Sequence, residues 1–194
     1  MKLYLYPGAC SLADHIALHE AGLTFEHVTV DLRAHRTASG EDYYAINPKG
    51  YVPALTLDSG ETLTENIAIL DWIAHQRPEL KPEGALGHTR LLETLAFIST
   101  ELHKSFGPMF GGGSDDEKAK AKAKVAKRLG EIDAMRAGDY LFGDAPSTAD
   151  AYLFVMLLWS RRNGIDLPGG LAGFFDRMMA RDATQAAMRH EGLI

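Results

Sequence analysis

The one cysteine of the 194-residue chain, Cys10, stands in Gly8-Ala9-Cys10-Ser11, between a short apolar run and a helical pattern. A helix start presents backbone N–H groups and the positive end of the helix dipole, which favour an anion. A thiol placed there is biased toward thiolate, the reactive nucleophile, and the Ser11 hydroxyl adds a donor at the same turn. The second stretch is Tyr51-Val52-Pro53-Ala54. A proline that opens a strand removes a ladder donor, and facing the Cys10 loop it is expected to be cis. Val52 then offers backbone N–H and C=O groups on which an extended peptide can pair as an added strand. The third stretch, Thr64-Glu65-Asn66, precedes a helical run. There a helix start can hold a carboxylate while Glu65 takes an ammonium, which suits the amino-acid end of a ligand. Each feature also has a plain structural use: a buried cysteine, an edge-strand proline, a helix cap.

Positioning three such stretches requires a sheet with helices on it. Lys2–Tyr6 reads as a buried strand ended by Pro7-Gly8, and Ser11–Ala21 as a helix closed by Gly22. Phe25–Val30 alternates as a second strand, and Asp31–Ala45 reads as a loop with a short helix. Val52–Leu57 and Glu61–Thr64 flank the turn Asp58-Ser59-Gly60 as a hairpin, and a helix runs over Asn66–His75. A βαβ unit followed by a ββα unit predicts a mixed four-stranded sheet of thioredoxin-like topology. Pro78, Pro82, Gly84 and Gly87 mark a linker, after which only helical periods occur, over 89–104, from Asp115, and over 149–159, 171–180 and 184–189. The expected organisation is an α/β domain over 1–78, a linker over 79–87 and an all-α domain over 88–194. Lys118, Lys120, Lys122, Lys124 and Lys127 alternate with alanines behind Asp115-Asp116-Glu117, which reads as a solvated helix face.

Bulk composition narrows the function. Apolar residues make up 46% and charged residues 24%, an ordinary globular mix. A net charge of −6 argues against nucleic acid, whose phosphates need a basic footprint. A lone cysteine precludes an intramolecular disulfide and suits a reducing compartment. No run approaches the roughly 20 apolar residues of a membrane span. A cytoplasmic protein without membrane or nucleic-acid partners is expected.

Taken together, Tyr6-Pro7-Gly8-Ala9-Cys10-Ser11-Leu12-Ala13, the stretch Asn47–Leu55 and Thr64-Glu65-Asn66-Ile67-Ala68-Ile69 resemble bacterial beta-class glutathione transferases. So do Ser99-Thr100-Glu101-Leu102-His103-Lys104-Ser105-Phe106, the Pro146–Asp150 capping box and the closing Glu191-Gly192-Leu193, so the resemblance spans nearly the whole chain. It implies a homodimeric, cytoplasmic enzyme that conjugates glutathione to hydrophobic electrophiles, a detoxification chemistry, with glutathione as cosubstrate and no metal. The catalytic set it implies is Cys10, Ser11 and His103. For glutathione it implies Cys10 beside the sulfur, Tyr51, Val52 and Pro53 on the cysteinyl backbone, and Glu65 and Asn66 on the γ-glutamyl end. His103 and Lys104 would reach the site from the helical domain, which lines the hydrophobic substrate site. His103 would orient or deprotonate near the thiol, and Lys104 would favour thiolate.

Three positions depart from that pattern: Asp14 where relatives often have proline, Ala96 where asparagine is frequent, and His35 where a lysine often meets the glycine carboxylate. Asn66 itself stands where many relatives have serine. Two other readings stay open on sequence: a glutaredoxin-like thiol-disulfide oxidoreductase, and a non-catalytic binding protein on the same fold.

Overall fold

The computed structural model describes residues 1–194, and they fall into two compact units, Met1–Leu80 with Ala180–Ile194, and Lys81–Met179. In the first unit the sheet comprises β1 (Lys2–Leu5), β2 (Glu26–Asp31), β3 (Arg36–Thr37), β4 (Ala54–Thr56) and β5 (Thr62–Thr64), in the order β3-β2-β1-β4-β5. β1 runs parallel to β2 and antiparallel to β4, and β4–β5 is the expected hairpin. The topology is the thioredoxin-like mixed sheet, with five strands instead of four. The extra strand is β3, inside the segment expected to be a loop with a short helix. It pairs only Thr37 with Val30 and Arg36 with Asp31, too short a ladder to leave a period in sequence. The short helix of that segment is a 3-10 turn, Tyr43–Ala45.

Apolar alternation places Leu3, Leu5, Val30 and Leu55 in the interior, all fully buried. α1 (Ser11–Glu20) and α2 (Asn66–Gln76) bury Leu12, Ile16, Ile69, Leu70 and Ile73. A separate cluster of Tyr4, Val30, Tyr43, Val52 and Ala54 anchors the strand entry at Val52. Gly22 ends the first helical turn-off at φ +61, a conformation only glycine adopts without cost. Residues 180–194, expected to close the helical domain, pack with the first unit. α8 (Asp182–His190) lies along α1, and Arg181 pairs with Glu20 at 2.8 Å.

The second unit is all-helical: α3 (Gly87–Phe97), α4 (Gly107–Phe110), α5 (Asp115–Met135), α6 (Thr148–Arg162) and α7 (Gly169–Met179). The helix expected over 89–104 is not uniform. After α3 the chain widens into a π-helical stretch, Ile98–Leu102, and tightens to a 3-10 turn, His103–Phe106. Such bulges collect at functional sites, and this one ends directly before His103. α6 is buried from Thr148 to Ser160, as expected for a helix apolar on all faces. On α5, Lys120, Lys122, Lys124 and Lys127 are exposed, a solvated face, and Lys120 pairs with Asp116 at 2.6 Å.

Candidate active site

Cys10 occupies the N-cap of α1 and is half-buried. The chain turns into the helix through Ala9 N–H to Tyr6 O (3.0 Å) and Ala13 N–H to Cys10 O (3.0 Å). Its Sγ lies 3.7 Å from Val52 O. The Val52–Pro53 bond is cis, and Val52 stands just outside the β1–β4 ladder, which begins at Ala54. Ser11 is fully buried, and its hydroxyl is spent on the loop: Oγ donates to Tyr6 O at 3.4 Å and accepts from Tyr6 N–H at 3.3 Å. It positions Cys10 and does not face the thiol as a donor.

The loop before Pro53 is held by residues whose part the sequence did not disclose. Tyr51 O accepts from Asn47 Nδ2 at 2.7 Å and from the Tyr43 hydroxyl at 3.1 Å. Asn47 is fully buried. Burial pushes the Tyr43 phenol up to about 12, so it stays a donor. Glu65 sits at the N-cap of α2 with φ +74, a left-handed conformation rare outside glycine. Backbone strain of this kind, costing of order 1–3 kcal/mol, gathers at ligand sites. Its carboxylate accepts from Tyr51 Oη at 2.6 Å and from Lys49 Nζ at 2.5 Å. Tyr51, Val52, Pro53, Glu65 and Cys10 thus come together at one end of the sheet, past the end of β1, the start of β4 and the end of β5.

Glutathione S-transferase N-terminal and C-terminal domains match residues 9–76 and 94–182. Over the full length of both chains, the sequence is 42% identical to glutathione S-transferase GstA of Escherichia coli O157:H7. Among solved structures, a sphingomonad glutathione S-transferase complexed with glutathione is 50% identical, with a TM-score of 0.93 and full coverage of both chains. The bacterial beta-class glutathione S-transferase of Sphingomonas chungbukensis is 46% identical, with a TM-score of 0.93 and full coverage of both chains. The chain belongs to the glutathione S-transferase family. Within it the chain is of the bacterial beta class.

In this glutathione transferase two of the departures from the class pattern turn out to be one. Asp14 is fully buried on α1 and Asn66 nearly so at the start of α2. With the amide oriented by its hydrogen bonds, Asn66 Nδ2 donates to both Asp14 oxygens, at 3.3 Å to Oδ1. Burial holds the Asp14 carboxyl well above the usual carboxylate range. The Asn66 side chain is therefore committed to Asp14, which leaves backbone N–H groups at the α2 start as its means of meeting a carboxylate. His35, at φ +49, stacks on Tyr44 and turns Nδ1 to Gly50 O at 3.1 Å, so Nε2 is the nitrogen left for a ligand, and it donates to an anion only in the imidazolium form. Gly50 is needed there: at φ +73, an added Cβ would lie 2.6 Å from Tyr44 Cε1.

A second support missed in sequence is Glu191. Its Oε2 accepts from Gly8 N–H at 2.8 Å and its Oε1 meets His15 Nδ1 at 2.9 Å, all buried. Burial pushes Glu191 up to about 7 and His15 down to about 3, with the neighbouring His27 and His190 also lowering His15. His15 is thus a neutral imidazole that donates from Nδ1 to the carboxyl group. The closing Glu-Gly-Leu was visible as a class mark, but only a fold brings residue 191 to residue 8.

His103 and Lys104 belong to the second unit. His103 Nδ1 is 2.6 Å from Tyr152 Oη, and its ring lies edge-on to Trp159 at 5.0 Å. Burial, with the Lys104 charge behind it, pulls the imidazole down to about 4. At neutral pH it is uncharged. Lys104 is exposed. Phe106 is buried in this aromatic group, whereas Phe110 is 58% exposed and 4.8 Å from Trp159. At Ala96, the expected place of an asparagine, the carbonyl accepts from Thr100 Oγ1 at 2.9 Å.

Proposed function

We propose that this glutathione transferase joins the glutathione thiolate to hydrophobic electrophiles, with Cys10 beside the glutathione sulfur. One observation carries the reading: the single thiol lies 3.7 Å from the carbonyl of Val52, the residue on whose backbone an extended cysteinyl peptide can pair. A tripeptide lying there has its γ-glutamyl ammonium near Glu65, its γ-glutamyl carboxylate at the α2 start and its glycine carboxylate toward His35. The α1 dipole favours thiolate. Its class implies a part for His103 near the thiol; pulled down to about 4, the imidazole is neutral at pH 7 and too weak a base to hold a thiol proton, so that part is orientation by hydrogen bonding, and charge is the part of Lys104. Ser11 acts through Cys10 as a positioning residue. We further place the protein in the cytoplasm as a homodimer, as its class implies; no helix is long and apolar enough to cross a membrane.

A second activity is favoured by Cys10 being the chain's single cysteine, in no intramolecular disulfide and at a helix start. Its thiolate can attack the glutathionyl sulfur of a mixed disulfide, releasing the other thiolate. A second glutathione thiolate then attacks the Cys10–glutathione bond, leaving oxidised glutathione and free Cys10. Cys10→Ala separates the two activities: conjugation of an aryl halide should survive in part, and exchange should vanish. Calorimetry at millimolar glutathione with no heat of binding would overturn both readings and restore a non-catalytic binder.

A further inference from the structure

Four histidines that take no part in the peptide-binding site meet on the first unit. His15 and His19 are on α1, His27 is on β2, and His190 ends α8. The rings of His15, His27 and His190 lie 5.0–5.5 Å apart. One nitrogen from each lies within 4.8 Å of the other two, and His15 Nε2 is 3.4 Å from His190 Nδ1. A tetrahedral ion with bonds of about 2.0–2.1 Å spaces its donors about 3.4 Å apart. His15 is also prepared as a ligand. Its Nδ1 faces the Glu191 carboxyl at 2.9 Å, which fixes the tautomer and leaves the Nε2 lone pair toward His190. His27 and His190 are exposed, so rotation of their rings can close the wider gaps. Next to them His19 has a buried Nε2 with no hydrogen-bond partner.

We propose that His15, His27 and His190 form a binding site for a divalent transition-metal ion of the zinc, cobalt or nickel type, with water in the fourth position. Three imidazoles and no carboxylate in direct reach select such ions over magnesium and calcium, which take oxygen ligands. The ion would tie α1, β2 and α8 together without entering the thiol chemistry. Glu191 is a positioning residue for it, because it orients His15.

The test uses the full chain with Cys10 alkylated, titrated with cobalt(II) and followed by visible absorption, with zinc as competitor. A tetrahedral cobalt spectrum without a sulfur charge-transfer band is expected, displaced by zinc and untouched by magnesium. His27→Ala and His190→Ala, both at exposed positions, should each weaken binding at least tenfold, and the double variant should abolish it. Glu191→Gln should weaken it by about 10- to 100-fold, the usual effect of removing a ligand's outer partner. His75→Ala, which breaks the other close group of possible metal ligands, Asp71, His75 and His88, should leave it unchanged. Thermal stabilisation by zinc should follow the same order, since an ion that binds only the folded state raises stability by mass action. Absence of cobalt binding at millimolar ion, binding unchanged in the double variant, or loss in His75→Ala would each overturn the proposal.

Discussion

At the scale of single residues, the site is built on commitments that leave few groups uncommitted. Ser11 is spent on Tyr6, Asn47 on Tyr51, and Asn66 on Asp14. The last pair is the most telling, because a buried carboxyl and a buried amide replace a proline and a serine common in relatives. A buried acceptor that loses its donor costs about 1–3 kcal/mol, whereas removing both partners is nearer neutral. Asp14→Ala and Asn66→Ala should therefore each destabilise, and the double variant should cost less than their sum. Urea denaturation of the four proteins should give a coupling energy of about 1 kcal/mol, and additivity within 0.3 kcal/mol would show the two side chains to be independent. Glu65 offers a second prediction. Its carboxylate is exposed enough for water to weaken it, so Glu65→Gln should raise KM for glutathione by about fivefold to tenfold with kcat nearly unchanged, the mark of uniform binding lost. A fall in kcat with KM constant would assign Glu65 to the reaction step instead.

At the scale of elements, the sequence showed the strands and helices that have length and period. The hairpin turn, the Gly22 stop and the apolar α6 all announce themselves locally. β3 could not be seen, because two residues make no alternation. The widening at Ile98–Leu102 was hidden inside an unbroken helical period. The same limit governs the site: Cys10, Pro53 and Glu65 were legible beside strand ends and helix starts, whereas Asp14 and Glu191 act through partners remote in sequence, and Asn47, only four residues from Tyr51, lies in a loop without a period to reveal the contact. The α6 capping box lies between these cases. Ser147 and Asp150 stand three apart, as such a box requires, but the fold adds a third donor. Asp150 accepts from Ser147 N–H at 2.7 Å, from Ser147 Oγ at 2.6 Å and from Leu141 N–H at 2.9 Å. Asp150→Ala leaves two buried N–H groups unpaired and should cost about 2 kcal/mol or more, read as a lower urea midpoint. The pH dependence has a definite sign. Burial lifts Asp150 from 3.8 to about 6 against the pull of its hydrogen bonds. A raised folded value gives stability that is complete below pH 4 and declines as pH rises through 6. The stability advantage of the wild type over Asp150→Asn should shrink across that window and then level off; an advantage that grows there would show the ionised form to be the one the fold prefers.

At the scale of the molecule, the first unit is assembled from two stretches of chain, 1–80 and 180–194, with the entire second unit inserted between them. All five strands lie within residues 2–64, so the last segment adds nothing to the sheet; it packs on α1 and reaches the Cys10 loop through Gly8. Two contacts secure it: the Arg181–Glu20 pair, partly exposed and worth little by itself, and Glu191, buried between Gly8 and His15. Gly8 has φ +72 and lies two residues before the thiol, so the Glu191 carboxyl fixes the loop on which Cys10 rides. Glu191→Ala removes the acceptor that the buried Gly8 N–H and His15 Nδ1 share, a loss of about 1–3 kcal/mol for a buried donor left unmet. The variant should unfold at a clearly lower urea concentration with an unchanged slope. Because the lost contact reaches the Cys10 loop, the damage should also appear in the native state. Cys10 should react faster with a bulky alkylating reagent, and KM for glutathione should rise more than kcat falls. Glu191→Gln keeps a carbonyl oxygen for one donor and should lie between the variant and the wild type in both measures. If Glu191→Ala lowered stability while Cys10 alkylation and the glutathione KM stayed at wild-type values, Glu191 would anchor α8 alone, and the Cys10 loop would hold its shape through Ser11 and the turn into α1.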